Sequence, residues 1–212
     1  MEAIIKNRCV IVAAGELDNL DLLKNNILNT DFIIAADGGY KKCINIGLVP
    51  DLIVGDFDSS KVPKIKTEII KLNPIKDSTD TENALLIGAE KGFKDFTIFG
   101  ATGGRFDHTF ANIALISSAI DKNINCTIID DHHKIYFLKN ETHKIKNENK
   151  YISIFAYGGD CVVSLNGFFY PLNSYTLSAN SALGTSNEIT ADYGEITVHK
   201  GKLLIIECEK FN

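Results

Sequence analysis

The sequence predicts an α/β protein, with an N-terminal Rossmann-like parallel sheet with helices on both faces and a smaller C-terminal all-β sandwich domain. Up to residue 138, short apolar runs that end in turns alternate with helix-like segments, as is typical of a parallel sheet covered on both faces. Residues 139–150 are almost wholly polar, and the short β-rich runs beyond them show no helical period. We therefore place one domain at residues 1–138 and a second at residues 139–212.

The elements of the first domain follow from the spacing of apolar residues. Continuous apolar runs predict buried strands, and apolar residues three or four positions apart predict helices. Because ligands of open parallel sheets bind beyond the carboxyl ends of the strands, we expect the turns at those ends to form one edge. The strands are expected at residues 9–15, 32–36, 51–54, 69–72, 96–99 and 126–129, and the helices at residues 17–28, 40–47, 81–92 and 106–120.

The second domain is predicted from shorter runs that are separated by glycines, a pattern typical of antiparallel sheets. The polar segment at 139–150 is expected to be a linker or an exposed hairpin. The predicted strands lie at residues 151–157, 161–165, 175–177, 195–199 and 203–207.

Composition predicts a folded protein of the cytoplasm. Of the 212 residues 45% are hydrophobic, and the net charge of −5 without a basic block argues against nucleic-acid binding. No apolar run reaches the roughly 18 residues of a membrane span, and residues 1–9 lack the apolar core of a signal peptide. The five cysteines are scattered and never spaced as Cys-x-x-Cys, which indicates buried free thiols in a reducing compartment.

Two carboxylates one residue apart, Asp56 and Asp58, follow the predicted strand at 51–54. In an extended segment alternate side chains share one side, so both carboxylates can face a cleft while Phe57 points into the protein. Adjacent carboxylates repel each other unless a cation, a proton or water offsets the repulsion, and Gly55 lets a ligand or another backbone approach. The pattern favours a magnesium-binding phosphate site, and a helix-capping turn is the alternative.

A second acidic group lies just before a predicted helix. Lys76, Asp77 and Asp80 stand together there, and Asp77 or Thr79 can cap the helix. The N-terminus of a helix offers unpaired N–H groups and a partial positive charge, both of which suit phosphate. Capping accounts for only one or two of these residues, so we assign Asp80 a functional role and leave Asp77 between capping and function.

A glycine-rich loop with an arginine follows the predicted strand at 96–99. Gly100, Gly103 and Gly104 allow the backbone to approach phosphate oxygens, and Arg105 can bind them through two N–H groups. The loop has neither the Gly-Lys-Ser/Thr end of a Walker A loop nor the Gly-x-Gly-x-x-Gly of a dinucleotide site. On its own it also fits an ordinary strand-to-helix turn with Asp107 near the helix start.

Together these motifs resemble, in order and spacing, the thiamine pyrophosphokinase family. The resemblance covers nearly the whole chain. Because the chain has no tryptophan, any aromatic stacking on a substrate must come from Phe or Tyr. The motifs are Asp37-Gly38-Gly39, Gly55-Asp56-Phe57-Asp58-Ser59, Lys76-Asp77-Ser78-Thr79-Asp80, Gly103-Gly104-Arg105-Phe106-Asp107-His108, Gly167-Phe168-Phe169-Tyr170-Pro171-Leu172 and Gly184-Thr185-Ser186-Asn187-Glu188.

The resemblance implies an enzyme, a thiamine diphosphokinase, that transfers the terminal pyrophosphoryl group of ATP to the hydroxyl of thiamine and releases AMP. It also implies a homodimer in which the vitamin lies between the nucleotide domain of one subunit and the β domain of the other. The alternatives are a magnesium-dependent diphosphotransferase or kinase for another alcohol, and a nucleotide-sensing module without turnover. The number of acidic residues favours an enzyme, because sensing needs no base.

On this resemblance the residues take separate roles. Asp56, Asp58 and Asp80 hold Mg²⁺, because this hard ion prefers carboxylate oxygens. Asp77 or Asp107 orients or deprotonates the thiamine hydroxyl, and Arg105 clamps phosphate together with backbone N–H groups. The residues expected at the nucleotide are Asp37, Gly38, Thr79, Gly103, Gly104 and Arg105, and those expected in catalysis are Asp56, Asp58, Asp77, Asp80, Arg105 and Asp107. Asp37 could instead reach the metal through water.

For thiamine we expect an apolar slot with a few polar groups that fix the aminopyrimidine. Thr185, Ser186 and Asn187 are the expected substrate-binding residues, although their composition alone also fits a hairpin turn. Tyr170 and Leu172 are expected in the core rather than in the pocket.

Overall fold

The computed structural model of the chain describes residues 6–57, 65–73 and 78–210. The chain is a mixed α/β protein that divides into two compact units, the first ending at Asp131 and the second beginning at His132. In the described part of the chain, no helix combines the length and the apolar character that crossing a membrane requires.

The described part of the first unit contains six parallel strands, paired in the order β6-β5-β1-β2-β3-β4. The strands are β1 (Arg8–Val12), β2 (Asp31–Ala36), β3 (Leu52–Gly55), β4 (Glu68–Lys71), β5 (Asp95–Phe99) and β6 (Asn125–Ile129). The helices are α1 (Leu20–Asn26), α2 (Tyr40–Asn45), α3 (Asp80–Glu90) and α4 (Phe106–Asp121), and a 3₁₀ turn (Asp37–Gly39) precedes α2.

Helices contact both faces of β1. Val12 lies in a buried cluster with Leu23 of α1 and Cys43 of α2. Cys9 lies against α3, where a Cβ added to Gly88 would come within 3.2 Å of its Sγ. Since residues 9 and 12 point to opposite sides of a strand, α1 and α2 cover one face of β1 and α3 covers the other.

The described part of the second unit contains two antiparallel sheets, with strand orders β7-β14-β9-β12 and β11-β10-β13-β8. Side chains of both sheets, such as Ile154 and Leu203 from one and Val163 and Ile196 from the other, share one buried cluster. Each fully buried aliphatic side chain of this kind contributes about 1.5–3 kcal/mol. The strands are β7 (His133–Lys139), β8 (Thr142–Lys146), β9 (Tyr151–Ala156), β10 (Cys161–Asn166), β11 (Leu172–Leu177), β12 (Asn187–Glu188), β13 (Tyr193–Lys200) and β14 (Lys202–Cys208).

The predicted elements of the first unit are all present, with ends that differ by at most three residues. The boundary between the units differs more, because the second unit begins at His132 and not at residue 139. The reason is β7, which pairs along its whole length with β14. The polar segment at 139–150, for which we expect a linker or an exposed hairpin, contains the strand β8, which pairs with β13, and its Ile145 is buried in the shared cluster.

Cys9, Cys43, Cys126 and Cys161 carry buried free thiols, and Cys208 is partly exposed. Burial raises the pKa of the Cys9, Cys43 and Cys126 thiols to about 12. These three thiols are therefore protonated at neutral pH and poor nucleophiles. The predicted buried free thiols are confirmed at four of the five positions.

The 3₁₀ turn after β2 passes very close to the end of β1. A Cβ added to Gly39 would lie 1.9 Å from the carbonyl oxygen of Val12. This distance is too short for any side chain at position 39. The neighbouring Gly38 has more room, because its Cβ would meet only the Cβ of Ala14, at 3.5 Å. Glycine at position 39 is therefore what lets the Asp37 turn lie against the strand end.

We expect Gly39→Ala to lower the free energy of unfolding by about 2–3 kcal/mol, because the added methyl group overlaps the Val12 carbonyl and pushes the backbone apart. Gly38→Ala is the matched control, with an expected change below about 1 kcal/mol. Denaturant unfolding followed by circular dichroism measures both variants. Equal stability of the two would contradict this explanation.

Candidate functional site

Three carboxylates from the ends of different elements lie together in the first unit. Asp37 follows β2, Asp56 follows β3, and Asp80 is the first residue of α3. One carboxylate oxygen of each lies within 4.8 Å of the other two, and all three residues are partly buried. A group of carboxylate oxygens at this spacing has the chemistry that a hard divalent cation such as Mg²⁺ prefers.

Asp37 is held in an unusual environment. Its φ of 45° lies in the left-handed region, which aspartate tolerates better than most residues. Its Oδ1 is buried and accepts no hydrogen bond from any described residue. A buried carboxylate oxygen without a donor is unfavourable, so a cation or a ligand donor at this point would stabilise it.

The turn after β3 brings Asp56 close to Asp37. A Cβ added to Gly55 would lie 3.1 Å from the Cα of Asp37, so the predicted close approach at this glycine is made by another stretch of backbone. Phe57 is buried, as predicted, but its φ of 56° shows that the chain is not extended there, contrary to expectation. Asp58 lies outside the described residues, so a face shared with Asp56 stays a prediction.

The N-terminus of α3 is fixed by side-chain hydrogen bonds. The Oγ1 of Thr79 accepts a hydrogen bond from the N–H of Glu82 at 3.1 Å and so caps the helix. The Nδ2 of Asn83 donates to the Oγ of Ser78 and to the carbonyl oxygen of Thr79, each at 2.8 Å. These bonds hold Asp80 in the first helical turn, where the helix dipole reduces the repulsion between carboxylates. Asp77, the other candidate cap, lies outside the described residues.

The loop after β5 adopts a backbone that favours glycine. Gly100, Gly103 and Gly104 have φ values of 64°, 88° and 33°. A Cβ added to Gly15, in the turn after β1, would lie 2.4 Å from the carbonyl oxygen of Gly100. The two turns can therefore pack directly against each other only because glycines stand at the points of contact.

Arg105 and Asp107 form an ion pair at the start of α4. The Nη2 of Arg105 donates to Oδ2 at 2.6 Å, and its Nε donates to Oδ1 at 3.2 Å. This hydrogen bonding lowers the pKa of Asp107 and raises the pKa of Arg105. Because both side chains are exposed, water screens the pair, and an anionic ligand could compete with Asp107 for the guanidinium.

A cavity of about 610 Å³ joins the acidic group to the glycine loop. This volume is typical of a small-molecule site. Gly38 and Asp107 do not belong to the described part of its wall, although Asp107 pairs with Arg105, which does. The predicted site residues in the wall are Asp37, Asp56, Thr79, Asp80, Gly103, Gly104 and Arg105.

The sequence did not point to other polar residues of the wall, among them Glu16, Thr102 and Asn112. Glu16 is held in the cavity wall because its N–H donates to the carbonyl oxygen of Thr102 at 3.1 Å. This bond joins two turns that are far apart in the sequence. Asn112 is only 6% exposed, and its Nδ2 donates to the carbonyl oxygen of Ala101 at 2.7 Å. An asparagine in the apolar stretch of α4 was the one available sequence signal for these residues.

In the second unit the side chain of Asn187 binds backbone groups of the same unit. Its side chain is buried, and its Oδ1 accepts hydrogen bonds from the N–H groups of Tyr170 and Glu188 at 3.0 and 2.9 Å. Its Nδ2 donates to the carbonyl oxygen of Tyr170 at 2.9 Å. The amide therefore joins β12 to the 167–171 turn.

Thr185 and Ser186 are exposed beside this junction. The N–H of Ser186 donates to the Oγ of Ser153 at 3.0 Å, which fixes the turn while the Ser186 side chain stays exposed. Tyr170 is 64% exposed, so its expected place in the core is wrong, whereas Leu172 packs against the core as expected. The exposed Thr185 and Ser186 thus directly precede the asparagine that binds the backbone of the exposed Tyr170.

Comparison with known proteins assigns both halves of the chain to one family. Residues 23–128 match the family model described as thiamin pyrophosphokinase, catalytic domain, and residues 132–203 match thiamin pyrophosphokinase, vitamin B1 binding domain. The thiamine pyrophosphokinase of Bacillus subtilis (strain 168) is 34% identical over 205 residues, which cover 92% of this chain and 96% of that protein.

Solved structures give the same result. A crystal structure of the Bacillus subtilis thiamine pyrophosphokinase has a TM-score of 0.87 and 29% identity, covering 97% of this chain and 100% of that one. A crystal structure of the thiamin pyrophosphokinase from Geobacillus thermodenitrificans has a TM-score of 0.83 and 26% identity, covering 96% of this chain and 98% of that one.

We expect Asn187→Ala to lower the free energy of unfolding by about 2–3 kcal/mol, because it leaves the N–H and the carbonyl of Tyr170 without their partner. Ser186→Ala, one residue away and exposed, is the control and should change stability by less than about 0.5 kcal/mol. Thermal and denaturant unfolding report both values. A stable Asn187→Ala protein would show that the amide is available for another task.

Proposed function

The chain belongs to the thiamine pyrophosphokinase family and is an enzyme, and we propose that it transfers the pyrophosphoryl group of ATP to the hydroxyl of thiamine. The hydroxyl oxygen would attack the β-phosphorus of ATP, the bond from that phosphorus to the oxygen of the α-phosphate would break, and AMP would leave. The observation that carries the proposal is a single cavity whose wall includes Asp37, Asp56, Asp80 and Arg105.

The acidic group fits Mg²⁺, the ion that such a reaction uses. Asp37, Asp56 and Asp80 offer oxygens within 4.8 Å of one another, and the buried Oδ1 of Asp37 lacks a donor among the described residues. We propose that Asp56 and Asp80 hold the ion together with Asp58, which lies outside the described residues, and that Asp37 contributes to the same group. The ion would supply positive charge that offsets the charge of the phosphates.

The phosphate chain would be bound by Arg105 and by backbone N–H groups of Gly103 and Gly104. In this structure the guanidinium is occupied by Asp107, with Nη2 and Oδ2 2.6 Å apart. A phosphate that takes the place of Asp107 would gain two parallel hydrogen bonds from the same fork. Since attack on phosphorus develops charge on oxygens, holding these groups in place beforehand is the main contribution expected of the protein.

Two carboxylates are candidates for orienting the thiamine hydroxyl or accepting its proton, Asp77 and Asp107. Asp77 lies outside the described residues. Arg105 holds the pKa of Asp107 low, so Asp107 is a poor base while that pair persists. If Arg105 moves to phosphate, Asp107 loses this partner and becomes more basic, which would couple ATP binding to proton acceptance.

We assign thiamine to the second unit, whose family model is described as a vitamin B1 binding domain. The exposed Thr185 and Ser186 would contact the aminopyrimidine, and the exposed rings of Phe169 and Tyr170 are candidates for stacking on it. Asn187 would act by fixing the turn at Tyr170, because its amide is already engaged there.

We also propose the finer fold description and the assembly that the family resemblance implies. These are a Rossmann-like first unit, a β-sandwich second unit, and a cytoplasmic homodimer with active sites at the subunit interface. Phe106 and Phe110 support the homodimer, because these rings stand one turn apart on α4 and are 76% and 58% exposed. Aromatic residues are enriched in protein interfaces relative to the rest of the surface.

The direct test is to incubate the purified protein with ATP, Mg²⁺ and thiamine and to quantify the products by chromatography. We expect AMP and thiamine diphosphate in equal amounts. ADP with thiamine monophosphate would indicate an ordinary kinase, and AMP formation only with another alcohol would indicate a different substrate. Binding of ATP without any turnover would indicate a sensing module.

We expect Asp80→Asn to reduce turnover by about a hundredfold or more, because the site loses one of the carboxylates that hold the cation. Glu82→Gln removes a negative charge two residues away, from a side chain that does not line the cavity in the described structure, and should stay within about twofold. Initial rates at saturating ATP and several Mg²⁺ concentrations compare the two variants. Normal turnover of Asp80→Asn would exclude the assigned role.

A further inference from the structure

Two neighbouring strand ends in the cavity wall have their carbonyl oxygens bound by side chains of helices. Lys42 of α2 donates from Nζ to the carbonyl oxygen of Ala13 at 3.0 Å. Asn112 of α4 donates from Nδ2 to the carbonyl oxygen of Ala101 at 2.7 Å. Ala13 follows β1 and Ala101 follows β5 by two residues, β1 and β5 pair with each other, and both alanines line the cavity. Helix side chains therefore bind carbonyl oxygens at two neighbouring positions of the cavity wall.

The burial of Lys42 is unfavourable for its charged form. The lysine is partly buried, and burial lowers its pKa because the ammonium loses water. A hydrogen bond to a carbonyl oxygen compensates for part of this loss. The preceding peptide is fixed as well, since the N–H of Ala13 donates to the carbonyl oxygen of Phe99 at 2.8 Å. Lys42 thus orients the peptide that leaves β1.

The orientation of this peptide matters for an anionic ligand. In a planar trans peptide the carbonyl and the following N–H point in opposite directions. A carbonyl of Ala13 that is turned to Lys42 therefore turns the N–H of Ala14, which also lines the cavity, the other way. A carbonyl oxygen pointing into the cavity would repel phosphate oxygens, whereas an N–H attracts them.

We propose that Lys42 and Asn112 are positioning residues of the phosphate-binding wall, an inference that rests on the proposed function. They hold the carbonyl oxygens of Ala13 and Ala101 away from the polyphosphate, and Lys42 leaves the N–H of Ala14 directed toward it. Neither side chain has to touch the phosphates for this role.

The test compares ADP with adenosine as competitors of a fluorescent ATP analogue, because only ADP carries the diphosphate. We expect Lys42→Met to weaken ADP about tenfold and adenosine less than twofold, and Lys42→Arg, which keeps a donor, to restore ADP affinity. Lys41→Met is the control, since Lys41 is the adjacent residue of α2 and is exposed. Asn112→Leu should reproduce the loss and serves if Lys42→Met does not fold.

Two results would overturn the proposal. One is an ADP affinity in Lys42→Met and Asn112→Leu equal to that of the unmodified protein, and the other is an equal loss for ADP and adenosine.

In the thiamine assay, Lys42→Met should raise the KM for ATP and leave the KM for thiamine within twofold, whereas a purely structural role would lower only the melting temperature. An unmodified protein that binds ADP but makes no thiamine diphosphate would disprove the proposed function and leave this inference open to the same binding test.

Discussion

The rest of the first unit depends on one constraint. It must hold a carboxylate oxygen of each of Asp37, Asp56 and Asp80 within 4.8 Å of the other two. Two unit charges at that separation repel by about 1 kcal/mol in bulk water and by about 3.5 kcal/mol at an effective dielectric constant of 20. Other interactions in the first unit must offset this repulsion. The carboxylates are held in place by β2 and β3, which are parallel neighbours and end side by side, and by the capped start of α3. Bound Mg²⁺ would replace the repulsion with attraction.

Close backbone contacts are the second requirement, because strand ends bearing these groups must meet without side chains between them. Glycine makes this possible at Gly39 against Val12, at Gly55 against Asp37 and at Gly15 against Gly100. Each contact joins the ends of different strands or the turns that follow them. The parallel sheet therefore sets the positions of the turns, and the glycines set how closely they approach.

Much of this arrangement could be predicted from the sequence, because continuous apolar strands followed by polar turns specify both the sheet and the edge that carries the ligands. Whether Asp37 reaches the nucleotide or the metal could not be decided from the sequence, since its place in the acidic group depends on a positive φ and on the buried Oδ1. Asn187 shows a similar limit. A polar residue in a turn has the same pattern whether its amide faces a ligand or, as here, the backbone of Tyr170. The sequence could not decide between a linker and an exposed hairpin at β8, because Ile145 is the one buried residue of this strand, too little for an apolar run.

The central claim is that this acidic group binds the divalent cation of the reaction, and crystals grown with Mn²⁺ and ADP test it most directly. If the group holds the cation, we expect an anomalous difference peak within about 2.0–2.5 Å of carboxylate oxygens of at least two of Asp37, Asp56 and Asp80. Saturating Mn²⁺ that leaves this group without a peak, or that binds only at another place on the protein, would contradict it.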